Sequence, residues 1–306
     1  MTHLEWETWL LESGWWCADD IVHCHDGWAW APAMWAMVMR GKRVAMTIHD
    51  QMTRRKWDQI RWFYRLAARR LFRSPRVWWI AVSSEVKRQL LDLGADAERI
   101  RVIPAYLAPP AADVAAAAPT CVLDFVRSHT PVLSTYGWRL CLDTQGRDLY
   151  GFDLCIELVR QLRANYPRVG MVACLPQIHL PDYYAELRRR IAGYGLEEHV
   201  LFVTEPLDEA YPLWQASDLY VRATSTDGDA LAVREALSLG VPVVASDASP
   251  RPPGTVLFPS RDLDALVAAV RQVLGDKQRF VEALPKADSN DFFHEIVDLY
   301  ETMLTS

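Results

Sequence analysis

The chain has 306 residues, of which 51% are hydrophobic and 24% charged, with a net charge of −6. That length suits two domains and that composition buries ordinary cores, which excludes a disordered chain. The acidic balance also argues against a general nucleic-acid binder, which is basic overall.

One helix, Leu4 to Trp16, precedes the first strand, Asp20 to His25. A helix from Trp28 to Arg40, a strand from Arg43 to His49 and a long helix from Lys56 to Phe72 come next. Val77–Val82 reads as a strand, Glu85–Leu93 as a helix stopped by Gly94, and Ile100–Ile103 as a strand stopped by Pro104. This βαβα order implies a parallel sheet with helices on its faces. Leu107–Pro119, rich in Ala and Pro, marks a boundary. A second alternating series follows. Its strands lie at 131–135, 170–175, 200–203, 219–222 and 242–246. Its helices lie at 151–166, 182–194, 208–215, 230–239 and 263–274, and a last helix spans 292–303. The fold class is α/β, with two Rossmann-like units in tandem.

The stretch Ser217 to Asp247 is the most informative: strand, polar loop, helix, Gly turn, strand. Its loop holds Asp227, Gly228 and Asp229 just before a helix that begins at Ala230 and Leu231. Free N–H groups at a helix start attract phosphate, and Gly permits close approach. Glu235 lies in the helix, eight residues after Asp227, so the two acids can bracket one elongated ligand at the carboxyl edge of the sheet. Helix capping is the plainer reading of Asp227 and Asp229.

This stretch resembles the signature of glycosyltransferase family 4, in which two Glu eight residues apart precede Ala and a Gly-Val-Pro-Val-Val-Ala-Ser-Asp strand. Here the first acid is Asp227, and Gly240 to Asp247 matches closely. Ile80–Leu90, Ile100–Pro104, Leu149–Glu157 and Gly195–Val203 support the same resemblance, which runs from about residue 20 to the C-terminus. It implies a GT-B-like architecture of two parallel sheets facing a cleft. The implied layout is a truncated acceptor-side domain over 1–107, a linker over 108–119, a nucleotide-sugar domain over 120–288 and a helix crossing back over 289–306. The implied activity is retaining transfer from a nucleotide sugar to a glycan or lipid-linked acceptor, without metal or cofactor, in cell-surface polysaccharide or glycoconjugate synthesis. Asp227 then contacts the donor sugar and Glu235 the ribose, with Gly228, Asp229, Ala230 and Leu231 lining the donor site. Arg139 stands where the family holds the diphosphate; Tyr150 replaces the usual Lys, and Arg147 is a possible substitute.

His23-Cys-His25-Asp26 and Thr47-Ile-His49-Asp50 both end strands. A buried hydrogen-bonded His and, more remotely, a metal site are open readings. The resemblance places a His near the reacting sugar, His25 first and His49 second. Residues 54–76 are basic and interleaved with aromatics, as suits an anionic membrane surface or a solvated face over a core. The 13 tryptophans fit core packing or an interface belt. The six scattered cysteines show no zinc spacing and fit a reducing cytosol. With no basic n-region and no apolar run as long as the ~20 residues of a membrane span, the expected location is cytoplasmic, with a peripheral place at the inner membrane face as the alternative. The short first sheet leaves a strand edge that favours a homo-oligomer or partner chain. Two alternatives stay open: a degenerate binding or scaffold protein without turnover, and a nicotinamide-dependent oxidoreductase, for which the GxGxxG is missing.

Overall fold

The computed structural model describes residues 20–25, 31–49, 57–58, 61–106, 117–227, 231–284 and 292–305. The expected helix at 4–16 and the core of the expected linker, 107–116, lie outside them. The chain divides into two compact units, Met1–Ala105 with Phe292–Ser306, and Tyr106–Asp291.

In the first unit, strands β1 (Ile21–His25), β2 (Arg43–Ile48), β3 (Val77–Ala81) and β4 (Ile100–Val102) form a parallel sheet in that order. Helices α1 (Ala31–Met39), α2 (Trp62–Phe72) and α3 (Ser84–Asp92) connect them. The β3 run Val-Trp-Trp-Ile-Ala is buried at every position, as a central parallel strand covered on both faces must be. Trp57, Phe72 and Trp79 pack into the core on one face. The last helix, Phe293–Thr305, covers Trp78, Ile80 and Ile103 on the other with Leu299 and Met303. Ser83 caps α3 by accepting the Val86 N–H at 3.3 Å. Among the described residues of this unit, Trp57, Trp78 and Trp79 are buried, whereas Trp62 is 75% exposed.

The second unit is a six-stranded parallel sheet of β5 (Val132–Tyr136), β6 (Gly170–Cys174), β7 (Val200–Val203), β8 (Leu219–Arg222), β9 (Val243–Ser246) and β10 (Thr255–Phe258). Its spatial order is β10-β9-β8-β5-β6-β7. Its helices are α4 (Thr120–Ser128), α5 (Phe152–Leu162), α6 (Pro181–Gly193), α7 (Tyr211–Gln215), α8 (Leu231–Ser238), α9 (Leu263–Gly275) and α10 (Lys277–Glu282). Apolar side chains of α5 and α9 cover one face of the sheet, and those of α4, α7 and α8 the other. Asp262 caps α9 by accepting the Ala265 N–H at 2.9 Å. No helix among the described residues is long and apolar enough to cross a membrane.

Candidate functional site

The second sheet starts at β5, grows through β6 and β7 on one side, then returns to add β8, β9 and β10 on the other. Strand order therefore reverses between β5 and β8. A crevice opens at the carboxyl ends of parallel strands at such a point. The loops leaving β5, β8 and β9 meet there.

The β5 loop carries the two arginines read from the sequence, in different settings. Arg139 is exposed, its guanidinium 4.9 Å from the Trp138 ring, and it makes no ion pair among the described residues. Arg147 is tied to Asp143 through Nε at 2.9 Å and Nη2 at 2.8 Å. Asp143 also accepts the N–H groups of Gln145 and Arg147, so this pair shapes the loop. Further along, buried Asp148 accepts N–H bonds from Tyr150 and Gly151, both at 3.0 Å. Burial, reinforced by neighbouring Asp153, pushes the Asp148 carboxyl up to about 6. Gly151 sits at φ 74°, and a Cβ there would strike the Ala223 carbonyl oxygen of the β8 loop. That close approach requires glycine and sets the two loops edge to edge, where Ser225 N–H also donates to Leu149 O at 2.9 Å.

Asp227, on the β8 loop, is nearly enclosed. Arg222 at the end of β8 donates to it through Nε at 2.9 Å and Nη2 at 3.1 Å, and Arg251 from the β9 loop through Nη1 at 2.8 Å. Thr224 Oγ1 adds a bond at 3.2 Å. Burial alone would raise the Asp227 carboxyl, but the two guanidiniums overcome it and hold the group well below the usual carboxylate range. Arg222 also donates to Tyr136 O at 2.8 Å and lies 5.2 Å from the Tyr150 ring. Arg251 donates to Ser246 O and Thr224 Oγ1, both at 3.0 Å. The carboxylate thus ties the ends of β8 and β9 together, and Arg222 extends the tie to β5. Gly228, Asp229 and Ala230 lie outside the described residues; Leu231 opens α8 and is exposed.

Glu235, on α8, is largely buried, and its Oε2 accepts the Trp214 indole N–H at 2.8 Å. Oε1 has no hydrogen-bond partner among the described residues. Burial raises this carboxyl above its ordinary range despite the indole bond. Asp227 and Glu235 therefore differ in kind: the first is saturated by cations, the second keeps an acceptor open.

The histidines belong to the first unit, at the carboxyl ends of β1 and β2. His25 Nδ1 and His49 Nε2 are 2.8 Å apart, and the His23 and His25 rings stack at 4.5 Å. His23 bonds Thr47 Oγ1 at 2.7 Å and Tyr300 OH at 2.5 Å. Burial, then the neighbouring His25 and His49, lowers His23 to about 4. Among the described residues, no group of three His, Cys, Asp or Glu is placed to hold a metal ion.

Arg222, Arg251 and Trp214 were not anticipated. Arg222 leaves a trace in the sequence, since a charge closing the apolar run Leu219-Tyr-Val needs a partner when buried, and Asp227 follows five residues on. Arg251 sits in a Pro-rich loop with no periodicity to place it.

The Glycosyltransferase Family 4 model matches residues 16–105 and the Glycosyl transferases group 1 model matches residues 147–276. The chain belongs to glycosyltransferase family 4. One curated relative is the lipopolysaccharide core biosynthesis mannosyltransferase LpsB of Rhizobium meliloti, 32% identical over 110 residues. That match takes in 33% of this chain and spans only 31% of the relative's length. Among solved structures, Anabaena HepE in complex with UDP and glucose is similar at a TM-score of 0.71 and 18% identity, covering 94% of this chain and 78% of that one. Sucrose-phosphate synthase from Thermosynechococcus elongatus is similar at 0.67 and 18%, covering 98% and 76%. At such identities the structural likeness is one of fold, the two-sheet GT-B architecture.

Proposed function

We propose that this family member moves a sugar from a nucleotide-sugar donor to a glycan or lipid-linked acceptor, with retention and without a bound metal, in cell-surface polysaccharide or glycoconjugate synthesis. The observation that carries the reading is the convergence of three loops and α8 where strand order reverses in the second sheet, with Arg139 and Glu235 both left with binding capacity. The UDP and glucose held by HepE and the mannosyltransferase activity named for LpsB support it.

In this reading Arg139 offers a guanidinium held by no carboxylate among the described residues to the departing diphosphate, where fixed charge lowers the barrier most. Glu235 Oε1 accepts a ribose hydroxyl while Trp214 fixes the carboxylate. Asp227, held ionised by Arg222 and Arg251, acts on the donor sugar through the β8 loop that it orients. His25 and His49 keep the sugar-orienting role that the family resemblance implies. The test incubates the full chain with a panel of nucleotide sugars and candidate glycan acceptors, with and without chelator. It follows nucleoside diphosphate release and the anomeric configuration of the product. Release that persists in chelator with an unchanged anomer supports the reading, whereas release that needs metal, or an inverted product, overturns those parts of it.

A binding protein without turnover is the second reading. Tyr150 fills the place of the family's Lys, and Arg222 beside it is already committed to Asp227. Donor binding with no diphosphate release under any acceptor would select it.

A further inference from the structure

The first unit carries a second feature, on the edge of its sheet opposite the histidines. A groove of about 910 Å³ runs between α1 and α2, down to the turn that enters β3. Trp35 and Leu66 give it an apolar lining, and Arg69, Arg70, Arg73 and Arg76 bring four guanidiniums to it. No carboxylate lines it among the described residues. Arg69, Arg70 and Arg73 are exposed and make no ion pair among those residues. Arg76 donates to Gly41 O at 2.7 Å, which fixes its place without neutralising it. Four like charges around one concavity repel one another, and an anion in the groove relieves that repulsion.

The same helix face continues into exposed apolar side chains. Trp62 is 75% exposed and Leu66 45%, and Phe63 lies beside them. Trp62, Leu66, Arg69 and Arg73 follow at helical spacing, so they form one stripe along α2. Met39, at the end of α1, is 69% exposed. A soluble anion needs the arginines but not the tryptophan. An anionic bilayer uses both, with phosphates at the guanidiniums and aromatic side chains at the headgroup level.

We propose that this face docks on an anionic phospholipid bilayer, with headgroup phosphates seated in the arginine groove and Trp62, Phe63 and Leu66 entering the interface. The proposal is independent of the activity assigned above. The groove lies at the amino ends of the strands, whereas His25 and His49 end β1 and follow β2 at the carboxyl edge. Docking therefore leaves the histidine edge of this sheet uncovered.

The test is co-sedimentation of the full chain with phosphatidylglycerol-rich vesicles and with pure phosphatidylcholine vesicles. Binding is expected to the anionic vesicles alone and to weaken with salt, because screening shortens the reach of the surface field. At about fivefold per cation near an anionic surface, replacing Arg69, Arg70 and Arg73 together with Gln lowers the partition coefficient by roughly a hundredfold. These side chains are exposed, so the thermal midpoint holds. Trp62→Ser lowers the binding that survives in high salt, and it serves if the triple variant fails to fold. Arg188→Gln with Arg189→Gln, exposed in the second unit, changes nothing. Equal binding to neutral vesicles, unchanged binding of the triple variant, or duplex DNA competing at equal phosphate concentration would each overturn the proposal.

Discussion

Asp227→Asn removes one negative charge and almost no volume, from a place where the structure allows no easy compensation. The side chains of Asp227, Arg222 and Arg251 are 10%, 8% and 2% exposed. Two guanidiniums then face a neutral amide whose NH₂ group points a donor at another donor. Losing one partner of a buried pair costs about 3–5 kcal/mol, most of it the uncompensated charge that remains. For a unit of this size each kcal/mol moves the thermal midpoint by about 2–4 °C, so the fall is on the order of 10 °C. The assay is thermal and urea unfolding of the full chain, followed by tryptophan fluorescence; buried Trp214 reports on the second unit. Arg251→Gln alone also destabilises, but combined with Asp227→Asn it removes one of the stranded charges. The double variant is then more stable than the sum of the single losses, by a coupling of about 1 kcal/mol or more. An Asp227→Asn chain within about 0.5 kcal/mol of the parent, or a strictly additive cycle, would refute the three-residue lock.

Arg139→Ala lowers affinity for a nucleoside diphosphate by about tenfold, the worth of a charge-assisted bond, and leaves the ligand-free midpoint unchanged. Arg147→Ala instead lowers the midpoint by releasing Asp143 and has the smaller effect on affinity; titration calorimetry with the opposite ranking would place the phosphate contact elsewhere. Glu235→Gln keeps the Trp214 bond yet weakens nucleotide binding by about tenfold, and parent-like affinity would remove Glu235 from the site. Two buried groups, one in each unit, respond to acid in opposite directions. His23 titrates near 4 when folded against 6.5 ordinarily, so its contribution is full above pH 6.5 and is lost as pH falls toward 4. Asp148 titrates near 6 against 3.8, so its contribution is full below 3.8 and is lost as pH rises through 6. Urea unfolding between pH 4 and 6.5 should therefore show a slope that changes in opposite senses in His23→Asn and Asp148→Asn; slopes unchanged in both would show that neither burial is as described.

The α/β class and the order of most elements were legible because parallel strands buried on both faces read as apolar runs between amphipathic helices. Three elements were not. Thr120–Ser128 follows an Ala-Pro stretch that hides its start. Thr255–Phe258 is a four-residue edge strand after Pro-Pro-Gly, with Leu257 exposed. Lys277–Glu282 is too short to show a period. The site was legible as a location, since the run from Ser217 to Asp247 announces a strand, loop and helix at a ligand-binding edge. Its electrostatics were not. Asp227 reads in sequence as an open acid, but its partners Arg222 and Arg251 are brought together only by the pairing of β8 with β9. Arg147 likewise reads as an available cation until the turn that closes it on Asp143 is formed.

The most direct test of the donor-site account is calorimetric titration of the full chain with UDP-sugars, other nucleotide sugars and NAD, repeated on Arg139→Ala and Glu235→Gln. The account predicts saturable binding of at least one nucleotide sugar, weakened by each substitution, and none of the dinucleotide. Nucleotide-sugar binding indifferent to both substitutions, or preferential binding of NAD, would contradict it.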